Sequence, residues 1–93
     1  MKSEWNMIIP VISTGHAPSD EAFKELIAKN FICAPYEYGY FVFIGDEEQE
    51  NEPEWYAEIR RWFLNHYSAI TGDRWVRFDA DGDLIDELQK WEW

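Results

Sequence analysis

Between Pro53 and Gly72, aromatic and aliphatic residues recur at Trp55, Ile59, Trp62, Phe63, His66, Tyr67 and Ile70. A spacing that alternates threes and fours predicts one long amphipathic helix with a wide apolar stripe. Pro53 is suited to its first position, after Asn51 or Glu52 as cap, and Gly72 marks its end. A stripe of that width is stable only when a second layer covers it. In 93 residues there is room for one such core, so the chain is a single domain.

The remaining segments supply the second layer. Met7–Ser13 reads as a strand, and Pro10 moves it towards a sheet edge or a bulge. Thr14–Pro18 is a loop. Ser19 then caps a helix to about Lys29 that buries Ala22, Phe23, Leu26 and Ile27, with Asp20 and Glu21 at its positive end and Asn30 closing it in a left-handed conformation. Phe31–Ala34 and Tyr38–Ile44 read as a hairpin around a turn at Pro35–Glu37, the second strand being almost continuously aromatic or β-branched. Arg74–Phe78 is a further strand with Trp75 and Arg77 on one face and Val76 and Phe78 on the other. Asp81-Gly82 signals a tight turn, after which Asp83–Leu88 is expected to return as a partner strand. The order β-α-β-β-α-β-β predicts an α+β, two-layer domain, a mainly antiparallel sheet with both helices on one face.

Charge narrows the function. The chain has 19 acidic and 8 basic residues, a net charge of −11, and residues 37–93 carry −10 of it. Acidic disordered tails lack aromatics, whereas 18% of this chain is Phe, Trp or Tyr, so it folds in spite of its self-repulsion. A surface of this sign repels nucleic acid and anionic membranes and attracts basic proteins. No direct nucleic-acid binding and no membrane association are expected. Cys33 is the only cysteine, which excludes an intramolecular disulfide and a cysteine-based zinc site. The run Met7–Ile12 is too short for a membrane span or a signal peptide. A cytoplasmic location, in a bacterial host cytosol, and no cofactor are the expectations.

Two clusters hold eleven of the 19 acids. Asp46, Glu47, Glu48, Glu50, Glu52 and Glu54 form the first. It reads either as a solvated loop that also stabilises a helix N-terminus, or as a row of charges spaced like nucleic-acid phosphates. Asp79, Asp81, Asp83, Asp86 and Glu87 form the second. Its Asp-x-Asp-Gly-Asp pattern is out of register for an EF-hand, because Gly82 falls at the fourth position and Leu84 at the sixth, and no metal site is assigned. On one scaffold the two clusters make an extended negative face. Trp91 and Trp93 at the chain end read either as residues folded back on the sheet or as exposed interface anchors. His66 belongs to the apolar stripe. His16, after Ser13 and Thr14, lies in a loop that forms a small polar mouth, but no third group to orient a base is identified, and no catalytic residue is assigned.

Ile12-Ser13-Thr14-Gly15-His16, Gly39-Tyr40-Phe41-Val42 and Asp73-Arg74-Trp75-Val76-Arg77-Phe78-Asp79-Ala80-Asp81-Gly82, followed by Trp91-Glu92-Trp93, resemble a small bacterial and mobile-element domain family of unknown function. That family carries Ser-Thr-x-His before a helix and Trp-x-Arg-x-Asp-x-Asp-Gly near its C-terminus. This chain departs from it in the acidic stretch Asp46 to Glu54 and in Leu88-Gln89-Lys90. The resemblance implies a phage or plasmid setting and no established activity. Charge and setting together lead to the expectation of a non-enzymatic, nucleic-acid-mimicking inhibitor of an anti-CRISPR or anti-restriction type. Its partner would be a basic nucleic-acid-binding protein or complex. The alternative is an interaction or regulatory module that uses exposed aromatics. The oligomeric state is left open.

Overall fold

The computed structural model describes residues 9–45, 47–67 and 74–92. The elements are β1 (Val11–Ser13), a single 3₁₀ turn (Thr14–His16), α1 (Asp20–Ala28), β2 (Cys33–Tyr36), β3 (Gly39–Phe43), α2 (Glu54–Tyr67) and β4 (Trp75–Asp79). The four strands form one sheet in the order β1-β4-β3-β2. The β2–β3 and β3–β4 pairs are antiparallel and β1–β4 is parallel, so the α+β prediction holds with a mixed sheet. β1 is an edge strand, as Pro10 requires, and the Pro10 carbonyl accepts the Arg77 N–H at 2.9 Å.

Local chemistry explains most element boundaries. Asn30 ends α1 with φ 70°, the left-handed conformation anticipated for it. The first strand of the hairpin lies two residues later than the pattern suggests: Tyr36 pairs with Gly39, which leaves Glu37 and Tyr38 as the loop. Pro35 sits inside β2, tolerated because that strand is the opposite edge. Pro53 stands one position before α2 and its carbonyl takes the first helical bond, from Ala57 N–H at 3.0 Å. Met7, Ile70 and Gly72 lie outside the described residues.

Alternation along β3 and β4 divides the sheet into two faces. Tyr40, Val42, Val76 and Phe78, together with Ile12 and Ile44, are buried beneath both helices. Phe23 of α1 is the hub of this layer. Its ring stacks on Tyr40 at 4.2 Å and meets Phe78 and Trp55 edge-on at 5.1 and 5.3 Å. Such aromatic arrangements add to the burial of large rings. The other face carries Val11, Ala34, Phe41, Phe43, Trp75 and Arg77, none fully buried, with no helix over it among the described residues.

One element differs from expectation. Asp83–Leu88 is not a strand paired with β4. That pairing is impossible because β4 already has β1 on one side and β3 on the other. The segment instead passes β1, where Ile12 and Asp83 form a single parallel bridge and Ser13 N–H donates to the Asp83 carbonyl at 2.9 Å. Gly82 makes the approach possible, since a Cβ there would run into the Ile12 carbonyl. The chain then descends as a strap that buries Leu88 in the core.

Phe23→Ala should cost about 3–5 kcal/mol, the range for emptying a buried aromatic site. Urea denaturation followed by tryptophan fluorescence measures it, and a loss of about 1 kcal/mol or less would place the centre of the core elsewhere.

Candidate functional site

The first acidic cluster occupies the β3–α2 loop. Glu47, Glu48 and Glu50 are exposed there, and Asp46 lies outside the described residues. Glu54 opens α2, exposed, with Arg61 at 3.0 Å. Glu52 departs from the row: its side chain is 3% exposed and forms an ion pair with Arg60, itself buried on α2. Its Oε1 also accepts the Gln49 N–H at 3.4 Å, while Oε2 has no hydrogen-bond partner. Two charges removed from water in this way offset each other's desolvation, and neither is available to a partner. Glu52 therefore holds the loop to the helix, and the row of surface charges is shorter than the sequence suggests.

The second cluster is also divided. Asp81, Asp83, Asp86 and Glu87 are exposed, with Glu87 3.1 Å from His66 of α2. Asp79 is 6% exposed and enclosed by hydrogen bonds. Tyr36 donates to its Oδ2 at 2.6 Å, Arg77 donates to the same oxygen at 3.0 Å, and the Asp81 N–H donates to Oδ1 at 2.8 Å. Arg77 Nε also donates to the Tyr36 hydroxyl at 2.8 Å, with the guanidinium 5.2 Å from that ring's centre. The register explains the reach. Tyr36, Gly39 and Asp79 are directly opposite one another on β2, β3 and β4, and Gly39 is needed there because a Cβ would run into the Phe78 backbone carbonyl. Tyr36, then the Asp81 amide, and then Arg77 hold the Asp79 carboxyl below the usual range.

The two clusters leave the sheet at opposite ends. The first follows Phe43, which pairs with Trp75 at the start of β4; the second follows Asp79, which pairs with Gly39 at the start of β3. The five paired rows between them separate the exits by roughly 13 Å, at about 3.3 Å per residue. The expected single acidic face is thus two acidic ends. The end at Asp79 gathers further carboxylates that sequence spacing does not connect. Asp20 opens α1 beside it, accepting from the Tyr40 hydroxyl at 2.6 Å and facing Lys24 at 3.2 Å. Tyr40 first, and then Lys24, lower the Asp20 carboxyl. Glu37 projects from the hairpin loop, and Tyr36, Tyr38 and Tyr40 complete the walls of a cleft of about 260 Å³. The only signal in the sequence is the alternation Tyr36-Glu37-Tyr38-Gly39-Tyr40, which also reads as an ordinary turn entering a strand.

His16 does not line the polar mouth, which is formed by Ser13, Thr14, Gly15, Ala80, Leu84, Trp91 and Glu92. It points inward and is fully buried. Its Nε2 accepts the Ile85 N–H at 2.8 Å, and its Nδ1, 2.9 Å from the Gln89 carbonyl, is the donor to it. That pairing fixes one neutral tautomer and ties the strap to the 3₁₀ turn. Burial lowers the His16 pKa, the Gln89 carbonyl opposes the shift, and Lys90 adds to it. Trp91 folds back: it is half-buried against the core, and its backbone N–H donates to the Gly15 carbonyl at 2.7 Å. Trp93 lies outside the described residues. His66 is exposed rather than packed. Cys33 is half-buried, and burial pushes its thiol up to about 11, far from a reactive thiolate.

Among the described residues, no group of three or more His, Cys, Asp or Glu side chains is arranged to hold a metal ion, and no helix is long and apolar enough to cross a membrane. The family described as "Family of unknown function (DUF5983) C-terminal domain" matches residues 9–93, and the chain belongs to it. No curated protein and no solved structure matches the chain.

Both buried networks can be tested by titration. Because the folded pKa of His16 lies below the ordinary 6.5, the unfolded chain binds the extra proton, and stability falls as pH drops through 6.5 towards the folded value. Urea midpoints between about pH 8 and about pH 5 should show that decline, and His16→Ala should be less stable at the upper limit and lack the decline. An unchanged pH slope in the variant would remove His16 from this role. Tyr36→Phe should raise the Asp79 carboxyl towards its ordinary value, read from carboxyl carbon shifts in an NMR titration, whereas an unmoved Asp79 would assign its acidity to Arg77 and Asp81.

Proposed function

We propose that this protein works by binding, without catalysis, to a basic surface of another protein. The observation that carries the reading is the imbalance of its surface: among the described residues twelve carboxylates are exposed against four lysine or arginine side chains. Most of them extend from the two ends of a rigid sheet, in the 47–54 and 81–87 segments. Charges held this way steer association with a positive cleft and compete with the phosphates that cleft normally holds. The proposed partner is a basic nucleic-acid-handling protein. In the mobile-element setting that the resemblance implies, that partner is a CRISPR or restriction complex of a bacterial cytoplasm, and the protein is its inhibitor.

One observation favours a second reading. The helix-free face of the sheet presents Phe41, Phe43 and Trp75, only partly buried, beside Val11 and Ala34. An interaction module anchored through aromatics would use this face, since Trp91 is committed to the fold.

Affinity capture from bacterial lysate at low and high salt separates the readings. Electrostatic recognition predicts a basic partner released by salt and competed by DNA or RNA. The triple variant Glu47→Gln, Glu48→Gln, Glu50→Gln should bind that partner about tenfold more weakly, at roughly 0.5 kcal/mol per exposed charge, with an unchanged urea midpoint. Salt-resistant capture that Trp75→Ala abolishes would move the function to the aromatic face.

A further inference from the structure

We propose that the cleft at the Asp79 end of the sheet is a receptor for a single arginine side chain of the partner. The inference sharpens the electrostatic reading and rests on it for the sign of the ligand. The cleft lies between the β2–β3 loop and the start of α1, where Tyr36, Tyr38 and Tyr40 meet Asp20 and Glu37. An exposed ring, Tyr38, beside two carboxylates in a concave site selects a cation over an anion or an apolar group, because the ring face and the carboxylates present negative potential.

The two carboxylates differ in their availability. Glu37 is exposed and has no hydrogen-bond or ion-pair partner among the described residues. Asp20 is held on one side by Tyr40 at 2.6 Å, which fixes its orientation. Its other oxygen faces Lys24, a solvent-exposed pair within one helix turn that an incoming cation displaces at small cost. Asp79 is spent on Tyr36 and Arg77 and does not compete. The start of α1 favours anions, but Asp20 and Glu21 already cover it.

Arginine fits better than lysine. A guanidinium stacks flat on a ring while donating in its own plane to carboxylates, which an ammonium cannot do. The hairpin already shows this chemistry internally: Arg77 lies 5.2 Å over the Tyr36 ring and donates from Nε to the hydroxyl. Tyr38, 53% exposed and edge-on to Tyr36, offers a ring that no cation of the chain occupies among the described residues.

The test is a titration of the ¹⁵N-labelled protein with N-acetyl-arginine amide, and with N-acetyl-citrulline amide, its neutral isostere. Saturable amide shifts centred on Glu37, Tyr38 and Gly39 are expected for arginine only, at millimolar affinity. Glu37→Gln and Tyr38→Ala should each weaken binding at least threefold, while Glu25→Gln, on the exposed side of α1, leaves it unchanged. Equal shifts with citrulline, or shifts spread evenly over every acidic segment, overturn the proposal. The probe needs no partner, so the two ideas fail separately. Absent arginine binding with salt-sensitive capture retained sinks the cleft alone. Retained arginine binding without salt-sensitive capture sinks the wider reading alone.

Discussion

The fold depends on the placement of β4. Its two sides are both occupied, by β1 in parallel and by β3 in antiparallel register, and among the described residues β1 has no other full strand partner. Both helices and the β2–β3 hairpin separate β1 from β4 along the chain. The sheet is therefore incomplete until its last strand inserts between the first and the third. Contacts of such sequence separation make folding slow and cooperative, since loop closure precedes the reward. The same placement sets the path of the C-terminal segment. With no free edge on β4, residues 83–91 cannot pair with it, and against β1 they form only the single bridge at Asp83. They become the strap that Gly82, His16 and Gly15 hold against β1 and the 3₁₀ turn.

A chain of net charge −11 must also arrange its acids so that the core closes. Two devices do this. The two most enclosed carboxylates are each matched by an arginine, Glu52 by Arg60 of α2 and Asp79 by Arg77 of β4. Carboxylates at helix starts, Asp20 and Glu54, sit where the backbone dipole favours them. The remaining acids are pushed outward, chiefly to the two ends of the sheet. The consequence for function is that two arginines are consumed in holding the fold, and among the described residues the exposed surface is left negative.

Periodicity made α1, α2 and the central hairpin legible, because each has an apolar pattern strong enough to outvote its neighbours. Alternation placed Trp75 and Arg77 opposite Val76 and Phe78. Three things were not legible, each for a physical reason. Asp81-Gly82 specifies a turn but not the direction of the chain after it, which the occupied edges of β4 decide. Glu52 is chemically identical to Glu50, and only the spatial approach of Arg60 distinguishes a buried ion pair from a solvated charge. Tyr36 and Asp79 are 43 residues apart, and their contact depends on the register through Gly39, which no local pattern encodes.

The two surfaces of the domain have different physical capacities. Exposed charges such as those of the acidic ends act over a screening length and have their main effect on encounter, so in the proposed role they set association and its salt dependence. On the helix-free face of the sheet, the three central rows of the β3–β4 pair hold no carboxylate, and Asp79, in the end row, is paired with Arg77 and Tyr36. Apolar area of that kind acts at contact and mainly slows dissociation. In the proposed role, a partner that meets only the ends is captured quickly and released by salt. One that also reaches Phe41 and Trp75 is retained. The cleft at the Asp79 end lies where the hairpin joins these two regions, since Tyr36 contributes both to its wall and, through Arg77 and Asp79, to the open face. A side chain seated there would fix the orientation of a complex that charge alone leaves loosely defined.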